Sequence, residues 1–200
     1  VDSSLHRVVV FIDYQNVHWL ARRSFLDFES DLSQGHIFPL KVGDLLVSRR
    51  RQESELLEVR VYRGCPSPDR QPAAARANNR QTAMWERSDQ VTVIRRNLQY
   101  PPDYPSSRPV EKGIDVAIAV DMIRLAMSGY MDAMILFSSD SDLMPAIEVL
   151  RDFQSCQVEV AAWWMAPRIA FPGTQLPWCH YLNEADFAHV RDRYDYTKGG

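Results

Sequence analysis

The 200-residue sequence predicts an α/β fold: a largely parallel sheet of about five strands, covered by helices on both faces. Two observations carry this. Five short runs rich in β-branched residues recur along the chain, and helical patterns lie between them, so strand and helix alternate. The first run, "RVVVFID" at 7–13, is almost continuously apolar, as expected of a strand buried on both faces between helical layers.

In chain order, the strand at 7–13 leads into a helical pattern at 16–26, and a second helix is expected at 40–51. "ELLEVRVYRG" at 55–64 is another of the short runs expected to be strands. A helix at 72–88 separates it from the strand "VTVIRR" at 91–96. Residues 97–113 contain four prolines and cannot form a regular helix or a central strand, so they are expected to be a long loop. A helix at 114–128, the strand "MILFSS" at 134–139, a helix at 142–153 and the strand "VEVAAW" at 158–163 follow. Beyond 163 the pattern is irregular, with a short helix from about Asn183. Residues 1–163 are therefore expected to be the main domain, with 164–200 an extension packed on it.

Composition narrows the function classes. With 46% hydrophobic residues the chain can bury one sizeable core. No apolar stretch reaches the roughly 18 residues a membrane span needs, because charges such as Asp115, Asp121, Arg124 and Glu159 interrupt each candidate. Cys65, Cys156 and Cys179 are odd in number and widely spaced, which disfavours a disulfide framework and a thiolate zinc site and implies a reducing, cytoplasmic setting. The net charge of −3 conceals an asymmetry: residues 41–112 are net basic and 113–200 net acidic. Such a molecule can hold a cation on one side and a polyanion on the other.

The chemistry gathers at strand ends. In a parallel α/β sheet, ligands bind beyond the carboxyl ends of the strands. Asp13 ends the first strand with Asn16 in the turn after it, and Asp140 and Asp142 end the fourth. If those strands are neighbours, three carboxylates share one crevice. Asp115 lies in the first turn of its helix, on the same side as Ile118, Met122 and Ala126, and so is expected to point inward. Asp121 falls about 120° around that helix and belongs to another face. Crowded carboxylates repel unless a divalent cation neutralises them. An oxygen-only donor set favours Mg²⁺ or Mn²⁺, ions suited to hydrolysis by an activated water. The local alternatives are an N-cap role for Asp140 or Asp142, a dipole partner in Asp115 and a turn former in Asn16.

"FIDYQN" at 11–16, "KGIDVAIAVD" at 112–121 and "SSDSDL" at 138–143 together resemble the NYN domain family of PIN-like ribonucleases, over roughly residues 7 to 163. The resemblance implies a PIN-like three-layer α/β/α sandwich and a Mg²⁺- or Mn²⁺-dependent endonuclease site directed at RNA. It makes Asp13, Asp115, Asp140 and Asp142 the acidic metal-binding and catalytic set, with Asn16, Lys112, Asp121 and Ser138 in support. Two positions depart from the family pattern: Ser139 stands at a glycine position and Leu143 at an aromatic one. The alternative reading is a catalytically weak RNA-binding or scaffolding module that keeps the fold. A phosphatase-type nucleophile at Asp13 is disfavoured, because position 15 is Gln rather than a second acid.

For the RNA itself, Arg76, Arg80 and Arg87 are expected to form one basic stripe on the helix at 72–88, with Arg70 before it and Arg108 in the proline-rich loop. Tyr100, Tyr104 and Trp85 are the aromatic candidates for stacking on unpaired bases. No membrane partner is expected, and the sequence leaves a homo-oligomer open.

Overall fold

The structure is a computed structural model that describes residues 5–27, 32–154, 156–167, 169 and 177–198, without the side chains of 32 and 33. Its strands are β1 (His6–Asp13), β2 (Ser54–Cys65), β3 (Val91–Asn97), β4 (Ala133–Phe137), β5 (Gln157–Trp163) and β6 (Trp178–Leu182). The helices are α1 (Tyr14–Phe25), α2 (Pro39–Ser48), α3 (Pro72–Trp85), α4 (Ile114–Met127), α5 (Met144–Phe153) and α6 (Glu184–Val190). All six strands are parallel and lie in the order β3-β2-β1-β4-β5-β6. Helices cover both faces, which gives the three-layer α/β/α sandwich.

Strand β1 is central because its sequence has no polar face to offer. Val8, Val9, Val10, Phe11 and Ile12 are all fully buried. Successive side chains alternate across the sheet. Val8, Val10 and Ile12 pack with Val17 and Leu20 of α1, Val42 and Leu46 of α2, and Phe187 and Val190 of α6. Val9 and Phe11 pack with Ile118 and Met122 of α4 and Ile147 and Leu150 of α5. Each buried aliphatic contributes about 1.5–3 kcal/mol, so a charge introduced at any of these positions would damage the helix layer that it faces.

The count of about five strands is corrected to six. Residues 178–182, expected to be irregular, form β6, which pairs with β5 from Glu159 opposite Trp178 to Trp163 opposite Leu182. "WCHYL" has no clean alternation to reveal a strand. A tertiary contact helps hold it: buried His180 meets Glu159 of β5 at 2.6 Å, and Arg50 pairs with the same carboxylate. Residues 170–176 of the expected irregular stretch lie outside the described residues. The helix expected from about Asn183 is α6, closed at its start by a reciprocal capping box between Asn183 and Asp186.

The helix expected over 72–88 ends at Trp85. Trp85 is buried, its indole N–H donates to Asp192 at 3.2 Å, and a turn over residues 86–90 leads into β3. The proline-rich segment is a loop, as expected, bridged across its base by Gln99 and Val110. The Tyr100 hydroxyl accepts from the Ser67 N–H at 2.8 Å and donates to Gln71 at 2.9 Å, which anchors the loop over the turn into α3.

The strand order places the reversal of winding between β1 and β4, which pair directly. At such a reversal the loops leaving neighbouring strands diverge and open a crevice at the carboxyl edge. Asp13 ends β1 there, and residues 138–142 leave β4 there.

Candidate active site

Asp13 caps α1, accepting from the Asn16 N–H at 3.4 Å. Its other oxygen accepts from the Ser138 hydroxyl at 2.9 Å, and that same hydroxyl oxygen accepts from the Asp140 N–H at 3.0 Å. Ser138, itself buried, thus ties the end of β1 to the loop after β4. Asn16 makes a second tie: its side-chain oxygen accepts from the Ser139 N–H at 3.0 Å. Asp140 caps the short 3-10 turn at Ser141–Leu143 by accepting from the Asp142 N–H at 3.0 Å. Among the described non-glycine residues only Gln154 has a positive φ, so Ser139 at the family's glycine position carries no left-handed strain.

The third side of the crevice comes from the start of α4. Gly113 precedes the helix with φ +76, a conformation that glycine adopts without penalty, and it turns the chain so that Asp115 enters the crevice. Glu111, which the sequence reading did not single out, lines the same cleft. The Gly64 N–H donates to it at 2.5 Å, and the Gln15 amide nitrogen, turned toward it, donates at 2.7 Å. Gly64 makes that approach possible, because a Cβ there would sit 2.6 Å from the Glu111 carboxylate. Its proximity to Asp115 in "EKGID" was the available signal.

One carboxylate oxygen from each of Asp13, Asp115 and Asp140 lies within 4.8 Å of the other two. The cleft around them has a volume of about 300 Å³ and is also lined by Gln15, Asn16 and Trp19. Burial pushes the Asp13 pKa up to about 7; the hydrogen bonds from Ser138 and Asn16 offset this in part, and the charges of Asp115 and Glu111 add to it. Asp115 is also raised, by burial and then by Asp140 and Asp142. Burial raises Glu111, offset in part by the Gly64 N–H and Arg63.

This donor set fits a hard divalent cation. The donors are all carboxylate oxygens, and two of the three are held where their charge is unfavourable without a positive partner. A Mg²⁺–oxygen distance of about 2.1 Å puts oxygens on one ion about 3 to 4.2 Å apart, so the three side chains would draw in around a shared ion.

Other residues singled out in the sequence take different places. Asp142 is exposed and outside the group of three, although its charge reaches Asp115. Lys112 is exposed beside the cleft. Asp121 points away, accepting from Arg60 at 3.0 Å and from the Tyr62 hydroxyl at 2.9 Å, and it also pairs with Arg124. Burial pushes its pKa up, but the Tyr62 and Arg60 hydrogen bonds outweigh that and hold it below the ordinary value.

The basic stripe does not persist. Arg87 lies beyond the end of α3, and Arg80 donates to the Tyr196 carbonyl at 2.8 Å. Arg76 and Arg108 are exposed, and the Arg70 guanidinium lies over Tyr100 at 5.2 Å. Trp85 is core and cannot stack on a base. The exposed Trp19 at the rim of the cleft was not foreseen.

Fold and site together define a parallel α/β/α protein with an oxygen-only carboxylate cluster at the switch point of its sheet. The NYN domain model matches residues 7–170, and the chain belongs to this family of PIN-like nucleases. The crystal structure of a protein of unknown function, VPA0982 from Vibrio parahaemolyticus RIMD 2210633, is similar with a TM-score of 0.51 at 19% identity. That match covers 81% of this chain and 83% of the other, and it shows the fold alone. No curated protein matches the chain. Among the described residues no helix is long and apolar enough to cross a membrane.

Proposed function

We propose that the protein is a divalent-metal-dependent endoribonuclease that hydrolyses phosphodiester bonds in single-stranded or exposed RNA. The observation that carries this is the convergence of Asp13, Asp115 and Asp140 at the switch point, in a chain of a nuclease family. These three hold Mg²⁺ or Mn²⁺, with Asp142 and Glu111 as outer acids that add negative charge. When bound, the ion supplies Lewis-acid activation of water and of the scissile phosphate.

The remaining roles belong to the chain. Ser138 fixes the spacing of Asp13 and Asp140 through its two hydrogen bonds. Asn16 fixes the loop that carries Asp140. Lys112, Arg70, Arg76 and Arg108 are exposed cations that supply phosphate contacts, whereas Arg80 is committed to a backbone carbonyl. Arg87 is exposed beyond α3 and contributes at longer range.

The test is incubation of purified protein with end-labelled single-stranded RNA in Mn²⁺, in Mg²⁺ and in chelator. The expected result is metal-dependent internal cleavage, lost in a folded Asp140→Asn variant. Cleavage by that variant at the wild-type rate would reject the site. RNA binding without products would favour the weak-module reading.

A further inference from the structure

Trp19 is 53% exposed although tryptophan is among the residues most favoured by burial, and it lies on the wall of the cleft that holds Asp13, Asp115 and Asp140. Helical rotation places Asn16, Trp19 and Arg23 within about 60° of one another on α1, opposite the face that buries Val17 and Ala21. Asn16 belongs to the acid cluster through Ser139, so this face begins at the cluster and runs away from it. The Arg23 guanidinium lies 5.4 Å from the centre of the indole ring. That contact steadies the ring and keeps a cation beside it.

We propose that Trp19 and Arg23 form the platform for an unpaired base next to the phosphate held at the acid cluster, with Trp19 stacking on the base and Arg23 neutralising its backbone phosphate. The inference rests on the nuclease reading for its substrate class, and it extends it to a residue that sets which RNA is accepted. The physical need is specific. The cleft is lined by carboxylates and repels a polyanion, so the strand requires a foothold that is apolar and cationic at the rim. The α3 stripe does not provide one, since Arg80 is engaged by Tyr196 and Arg87 lies off the helix. An indole face accepts any base, but only a base that has left its duplex stack. The platform therefore selects single-stranded over paired RNA with little sequence preference.

The experiment measures binding of a labelled single-stranded RNA oligomer to the full chain in Ca²⁺ in place of Mg²⁺ or Mn²⁺, with the oligomer checked to be intact, so that the acid cluster is neutralised and the readout does not depend on turnover. Stacking of one base is worth about 1–3 kcal/mol, so Trp19→Ala is expected to weaken binding by roughly 5- to 150-fold, while Trp19→Phe keeps most of the affinity. Trp19→Gln, of intermediate size and at home in a helix, serves as a second non-aromatic variant with the fold checked by circular dichroism. A series of oligomers with a single abasic position separates stacking from a structural role: wild type should lose affinity at one position, and the non-aromatic variants should be indifferent to it. Unchanged binding by Trp19→Ala, or equal sensitivity of variant and wild type to the abasic position, overturns the platform whether or not the protein cleaves RNA. Loss of stacking in a protein that never cleaves would uphold the platform and remove the nuclease reading instead.

Discussion

Replacing Asp13 with Asn tests whether this carboxylate is held in the site against its own solvation. Asp13 is 4% exposed, and burial pushes its pKa from 3.8 to about 7. The folded state therefore binds the proton more tightly than the unfolded chain. Stability from this group is fully present below about pH 4 and is lost as pH rises through about 7. Three pKa units correspond to about 4 kcal/mol. Asn is neutral at every pH but cannot accept both the Asn16 N–H and the Ser138 hydroxyl, a loss of about 1 kcal/mol. In chelator at pH 8, Asp13→Asn should thus be about 2–3 kcal/mol more stable than wild type, roughly 5–10 °C in Tm. At pH 4.5 the two should converge, with the variant slightly lower. Asp132 and Asp195, held down to about 2 by their partners, titrate below this window. Adding Mn²⁺ at pH 8 should raise the wild type and leave the variant unmoved. Thermal melts followed by circular dichroism across pH read all of this. A variant less stable than wild type at pH 8 in chelator, or a difference that ignores pH, would refute the reasoning.

Glu111→Gln should keep the fold, because the amide can still accept from the Gly64 N–H, but it should shrink the Mn²⁺-induced rise in Tm. An undiminished rise would take Glu111 out of the site's electrostatics. Gly113→Ala meets no steric obstacle but forces a side chain into φ +76, so a cost of about 1 kcal/mol and a weaker metal response are expected in the same melts. Asp121→Ala removes acceptors from Arg60 and Tyr62 and should cost about 1–3 kcal/mol in urea unfolding while leaving the metal response intact. A lost metal response would instead place Asp121 in the site.

Much of the site was legible because strand-end acids are local signals. Asp13 closes an apolar run, Asp140 closes another, and Asp115 opens a helix with its apolar face aligned. For Glu111 the chain offered only its closeness to Asp115, since its place in the cleft depends on Gly64 of β2 and on the path of a long loop. Trp19 was passed over because a lone aromatic in an amphipathic helix reads as core, and only the packed structure leaves it exposed at the rim. The α3 stripe failed for a related reason. Periodicity continued the helix to 88, but it ends at Trp85, where the Glu86 N–H closes on the Thr82 and Met84 carbonyls, and the tail at Tyr196 captured Arg80.

The sequence by itself determined the alternation of strand and helix, the strand β1 with no polar face, and the kinds of donor available to an ion, because these depend on side chains a few positions apart. Only the tertiary structure decided that β1 and β4 are neighbours, that a sixth strand joins the sheet, and which acids meet. Contacts between residues more than a hundred positions apart, such as Ser138 to Asp13, are set by how layers pack and leave no periodic trace in the chain.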